Sequence, residues 1–159
     1  MISTDRNCPI QVLEGLSTWS NLWGGRRKVE ALDNFSPRVR KPFSGWTVVG
    51  DSITDFNMLQ AVNKAGGLAI AFDANEYVLR YATMSLASVR LDDLWIVLKA
   101  WEQGGRQNLE KVAKEKEAAG VTRDREWFHW LDRTKAITAA LEIHKRIQRL
   151  VRKEAAKLG

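Results

Sequence analysis

Apolar and polar positions follow two periodicities along the first two thirds of the chain. Short stretches of four to six residues that are rich in apolar side chains, which predict strands, occur at residues 10–15, 46–49, 67–72 and 84–88. Around them, apolar residues recur at spacings of three and four, which predicts helices at residues 26–35, 55–66, 75–82, 91–103 and 106–120. Strands and helices that alternate across short connections predict an α/β fold with a parallel sheet covered by helices.

The C-terminal segment has a different pattern. Residues 124–158 contain neither Gly nor Pro, and their apolar residues recur mainly at helical spacing, which predicts one long amphipathic helix. Residues 133–159 hold eight Lys/Arg and two Glu, and so account for the whole net charge of +6. We expect the apolar seam of this helix to pack on the preceding helix or on another subunit, with its other face in solvent. Glu142 and Glu154 interrupt its basic face, so binding of nucleic acid or of a membrane surface is less favoured.

Length and composition set the domain organisation. A chain of 159 residues can bury one sizeable core, and we divide it into a partial α/β core at 1–105 and a helical extension at 106–159. Cys8 is the only cysteine and cannot form an internal disulfide, which fits a reducing compartment. No apolar run has membrane-spanning length, and Asp5 and Arg6 stand where a signal peptide would be apolar. A cytoplasmic protein is therefore expected.

The segment VVGDSITDFNML, residues 48–59, carries the candidate chemistry. In α/β sheets, ligands bind at the carboxyl ends of the strands, where this segment places Asp51 and Asp55. A carboxylate there can bind Mg²⁺, which prefers oxygen ligands, and Gly50 would let the backbone turn sharply. A purely structural interpretation is also open, because Ser52 and Asp55 have the spacing of a helix capping box.

These residues resemble the GDxxxD pattern, the fourth motif of the Mg²⁺-dependent phosphatases of the haloacid dehalogenase (HAD) superfamily. The next segment, GGLAIAFDANEYVLRYA, is similar to the phosphoserine-phosphatase-like branch, with Asn75, Arg80 and Ala82 at the matching positions of its helix. The resemblance covers about residues 24–90. It implies a truncated HAD-like (Rossmannoid) parallel sheet of three or four strands, followed by a C-terminal helical extension.

The resemblance also implies roles for individual residues. Asp51 would be a ligand of Mg²⁺, and Asp55 would be the supporting carboxylate of the metal site. The third motif of the superfamily is a lysine that neutralises the phosphate and the nucleophile. Lys28 is the best candidate for it, with Arg27 and Lys41 as alternatives.

The chain departs from the HAD pattern at the nucleophile. HAD phosphatases use the first Asp of a DxDx[TSV] motif, but no two of the nine Asp residues here are two positions apart. The sequence therefore resembles only the C-terminal half of a HAD protein. We expect a phosphatase of phosphate monoesters, or half of one that is inactive alone. A HAD core without its first strand leaves a sheet edge unpaired, so we expect either self-association or a partner chain that supplies the missing half. The alternative is a non-catalytic binding or assembly module that uses the long C-terminal helix for a protein partner.

Overall fold

A four-stranded sheet with helices on both faces forms the centre of the molecule. The structure, a computed structural model, describes residues 25–120, 126–131 and 137–157. Its helices and strands follow in the order α1 (Arg26–Val39), β1 (Thr47–Gly50), α2 (Phe56–Lys64), β2 (Leu68–Phe72), α3 (Glu76–Leu79), β3 (Met84–Ser88), α4 (Leu94–Ala119), β4 (Glu126–Trp130) and α5 (Ile137–Ala155).

The strands lie in the order β1-β2-β3-β4. β1, β2 and β3 run parallel, whereas β4 pairs antiparallel with β3. The predicted α/β class with a C-terminal helix is confirmed, and the sheet is mostly parallel rather than parallel throughout, because β4 runs antiparallel to β3. The predicted strand at residues 10–15 lies outside the described residues.

Successive side chains of the strands enter two separate cores, because they point to opposite faces of the sheet. Ala69 and Ala71 of β2 pack in the core formed with α2 and α5, and Leu68 and Ile70 pack in the core formed with α4. α1 lies on α2 and contributes Leu32 to the first core. Both faces of the central strands are therefore covered, as expected for parallel strands with continuous apolar sequences.

The predicted helix over residues 124–158 is wrong at its beginning. Residues Glu126–Trp130 form β4, and α5 begins only at Ile137; the residues between Leu131 and Ile137 lie outside the described part. The segment EWFHW is rich in aromatic residues, which favour strands, and Trp127, Phe128 and Trp130 are all buried. Pairing with the edge of β3 thus overrides the helical spacing of the apolar residues.

The predicted connector at residues 36–45 is also wrong in part, because α1 continues to Val39 with Pro37 inside it. A proline near the end of a helix removes one backbone hydrogen bond and leaves little helix to disrupt. Arg40, with φ of 53°, then closes the helix through its N–H, which donates to the carbonyl of Pro37.

No helix among the described residues is long and apolar enough to cross a membrane.

Candidate functional site

A shallow pocket opens at the carboxyl ends of β1 and β2. Asp51 directly follows β1, and Asp73 directly follows β2. The pocket has a volume of about 490 Å³ and is lined by Lys28, Val49, Gly50, Asp51, Asp55, Phe72 and Asp73. The three residues predicted as site residues therefore lie together, and a third aspartate joins them.

Lys28 reaches this pocket from the first turn of α1. Its Nζ donates to Asp55 Oδ1 at 2.5 Å and lies 3.4 Å from Thr54 Oγ1. The N–H of Gly25, immediately before α1, donates to the carbonyl of Thr54 at 3.0 Å, which fixes the start of the helix beside the loop after β1. The structure thus joins a lysine and an aspartate that lie 27 positions apart in the sequence.

The two alternatives to Lys28 are placed differently. Arg27 is exposed and does not line the pocket. Lys41 precedes β1 at its amino end, where its carbonyl accepts from the indole of Trp46 at 3.0 Å. Lys28 is accordingly the candidate that the fold brings to the acidic loop.

The second oxygen of Asp55 organises the loop after β1. Oδ2 accepts from the N–H groups of Asp51 and Ser52, both at 3.2 Å, and from Ser52 Oγ at 3.1 Å. Half of the predicted capping box is therefore present, because the carboxylate reaches back to the N–H of Ser52. The other half is missing, since Asp55 itself stands at the N-cap of α2 and its N–H donates to the carbonyl of Ser52.

The charge of Asp55 is stabilised although only 5% of the residue is exposed. Burial by itself raises the pKa of this carboxyl, but the hydrogen bond and the charge of Lys28, together with the donors of Ser52, outweigh burial and lower the pKa below its usual value. Asp55 is therefore an ionised, fully hydrogen-bonded carboxylate that holds Lys28 and the loop in place.

Gly50 gives this carboxylate its space. A Cβ at position 50 would lie 2.5 Å from Cβ and 2.9 Å from Cγ of Asp55, closer than side chains can approach. The backbone of Gly50 has no positive φ, so the expected sharp turn is not the reason for a glycine here. The reason is the close approach of the Asp55 side chain.

Asp73 is the site residue that the motif did not reveal. Its φ is 44°, and its Oδ1 accepts from the N–H of Ser88, the last residue of β3, at 2.9 Å. Burial and then the charge of Asp51 raise the pKa of Asp73 to about 6, against the opposing hydrogen bond from Ser88. The sequence did contain a signal for it, because Asp73 follows an apolar strand just as Asp51 does.

Asp51 and Asp73 carry the type of side chain that binds Mg²⁺ in proteins. Both supply carboxylate oxygens, Asp51 is exposed to solvent, and their mutual repulsion would be relieved by a divalent cation. Mg²⁺ is usually held by one or two carboxylates and retains several waters. Within the described residues, no group of three or more His, Cys, Asp or Glu could hold a metal ion, so a resident ion would depend on these two carboxylates and on water.

Comparisons with known proteins identify a solved structure of similar fold. No protein-family model matches the chain, and no curated protein matches it. Among solved structures, the chain is similar to the gene product AF1437 from Archaeoglobus fulgidus, with a TM-score of 0.66 and 25% identity over 82% of this chain. The match spans 39% of the length of that protein. This similarity agrees with the α/β fold.

Proposed function

We propose that the chain is the metal- and phosphate-binding part of a Mg²⁺-dependent phosphatase of the HAD type, acting on small phosphate monoesters. Asp51 is the proposed metal ligand, Asp73 assists it, Asp55 is the supporting carboxylate, and Lys28 neutralises the phosphate. The observation that carries the proposal is the Lys28–Asp55 contact of 2.5 Å beside Asp51, at the strand ends where the HAD resemblance requires it.

The electrostatics of the pocket support a phosphate ligand. Two carboxylates would bind a divalent cation, and the ammonium of Lys28, whose side chain is 27% exposed, borders the same space. Bound Mg²⁺ would act as a Lewis acid on the phosphate oxygens. The chain's own residues would orient the phosphate and balance its charge, with Asp55 holding the ammonium at the pocket wall.

The part of a HAD protein that would carry the nucleophile is missing, and among the described residues the sheet has an unpaired edge at β1. Within the part of the chain that the structure describes, β1 pairs only with β2, and its residues Thr47 and Val49 are exposed. An unpaired strand edge is a template for another strand. We therefore propose that a partner chain with the nucleophile docks beside β1. A second copy of this chain would cover the same edge by self-association without supplying a DxDx[TSV] motif.

The alternative of a non-catalytic module has less support. It would use the apolar seam of α5 for a partner, but Ala140, His144 and Ile147 of that seam are already buried. They pack against the sheet and α3, so Val151 of the seam, which is 37% exposed, and the outer, basic face of α5 remain for a partner.

The experiment is a titration with Mg²⁺ by calorimetry, together with hydrolysis of p-nitrophenyl phosphate, for the wild type and Asp51→Asn. We expect the wild type to bind Mg²⁺ and Asp51→Asn to lose that binding, with no hydrolysis above the Asp51→Asn level by the chain alone. Hydrolysis that depends on Asp51 would mean that the chain contains its own nucleophile. No Mg²⁺ binding by the wild type would refute the proposal.

A further inference from the structure

The C-terminal helix contacts the backbone of the candidate site directly. The N–H of Ala74 donates to Nδ1 of His144 at 2.9 Å, and the side-chain amide of Gln148 donates to the carbonyl of Asp73. His144 and Gln148 lie one turn apart on the inner side of α5, so one helix holds both sides of the peptide group that follows Asp73.

The segment held in this way is the 73–75 loop, formed by Asp73, Ala74 and Asn75. Asp73 has the left-handed φ of 44°, a conformation that costs energy in residues other than glycine and persists where the surroundings enforce it. Ala74 is 1% exposed, so the bond to His144 is the way in which its N–H is satisfied away from water. The contacts with α5 therefore help to hold this backbone conformation, together with the bonds from the Asp73 N–H to the carbonyl of Leu86 and from the Ser88 N–H to Asp73.

The 73–75 loop connects the two proposed ligands. The N–H of Asn75 donates to the carbonyl of Asp51 at 3.0 Å, while Asp73 Oδ1 accepts from Ser88 at 2.9 Å. A shift of this loop would move Asp73 and release the backbone of Asp51 at the same time. α5 thus reaches both carboxylates through one short segment.

We infer that His144 and Gln148 are positioning residues for the metal site, and that α5 is a structural part of this site rather than an appendage. The inference rests on the proposed function in naming the ligand as a divalent cation. Residues that hold metal ligands from outside typically change metal affinity by about 10–100-fold when they are replaced. His144 itself is fully buried and points to the loop, so it does not contact the metal or the substrate.

The test compares Mn²⁺ affinity in four variants of the full chain. His144→Leu and Gln148→Leu each remove one bond to the loop, and we expect Mn²⁺ binding about tenfold weaker in both. His144→Asn keeps an acceptor near the position of Nδ1 and should restore affinity close to that of the wild type. Ile147→Val loosens the same helix without removing either bond and serves as the matched control. All affinities are measured at a temperature where circular dichroism shows each variant to be folded.

A second readout keeps the inference testable if no metal binds. The one-bond Cα–Hα coupling of Asp73, measured by NMR without metal, differs between positive and negative φ and so reports the left-handed conformation of this residue. We expect this coupling to change in His144→Leu and Gln148→Leu and to stay unchanged in Ile147→Val. An unchanged coupling in both Leu variants would overturn the inference, as would Mn²⁺ affinities equal to that of the wild type or equally weakened in Ile147→Val. Absence of Mn²⁺ binding by the wild type, with the coupling changed as expected, would overturn only the proposed function.

Discussion

Replacing Lys28 by Met tests the contact on which the candidate site depends. The change removes the ammonium and leaves the Asp55 carboxylate, a residue that is 5% exposed, with only its neutral donors. Hydrogen bonds to charged groups contribute about 1.5–3 kcal/mol, and breaking a buried ion pair costs about 3–5 kcal/mol. Because 27% of the Lys28 side chain is exposed, water replaces part of the contact. We therefore expect the free energy of unfolding to fall by about 1.5–3 kcal/mol.

The assay is urea unfolding at pH 6, repeated down to pH 3, with Lys41→Met as the matched control. Since Lys28 lowers the pKa of Asp55 in the folded state, the stability from this pair is present above the ordinary value of 3.8 and is lost as the pH falls through the folded pKa. The difference in the free energy of unfolding between the wild type and Lys28→Met should therefore be largest at pH 6 and become smaller toward pH 3. The reasoning would be refuted if Lys28→Met lowered the free energy of unfolding at pH 6 no more than Lys41→Met does. It would also be refuted if the loss caused by Lys28→Met did not become smaller as the pH is lowered.

Three further predictions follow from the same geometry. Gly50→Ala should destabilise the fold by about 1–3 kcal/mol, measured by urea unfolding, because its Cβ would collide with Asp55, whereas Gly45→Ala provides a glycine control, since a Cβ there would meet only Lys41 at 3.8 Å. In EDTA, Asp73→Asn should be more stable than the wild type at pH 8 and equally stable near pH 4. The reason is that the pKa of Asp73 is raised to about 6 in the folded wild type, so that ionisation of this carboxyl above pH 6 costs stability. Equal stability of the two proteins at pH 8 would contradict this. Burial lowers the pKa of His144 to about 4, so the wild type should lose stability relative to His144→Asn between pH 6.5 and pH 4, and parallel pH profiles would disprove it.

Local patterns predicted the part of the fold that carries the site. The apolar run before Gly50 and the helical spacing after Asp55 are both short-range signals, and they placed β1 and α2 correctly. Lys28 was named through the HAD resemblance, and the fold brings it to Asp55. The role of these residues in phosphate chemistry stays a prediction.

Features that depend on long-range contacts were missed. β4 is a strand because it pairs with β3, and no local pattern in EWFHW records that partner. Asp73 becomes a site residue because β2 ends beside β1, so its position in the pocket follows from the order of the strands. The bond from Ala74 to His144 joins residues 70 positions apart, a distance at which sequence spacing carries no information.

The central claim is that Asp51 and Asp73 bind a divalent cation at the strand ends. The most direct measurement is the broadening of backbone amide NMR signals by substoichiometric Mn²⁺, in the wild type and in Asp51→Asn. The account predicts that the amide signals of Asp51 and Asp73 disappear first in the wild type, while that of Gly66, at the amino end of β2, persists, and that Asp51→Asn abolishes this selectivity. Uniform broadening along the chain, or the same selective loss in Asp51→Asn, would contradict the account.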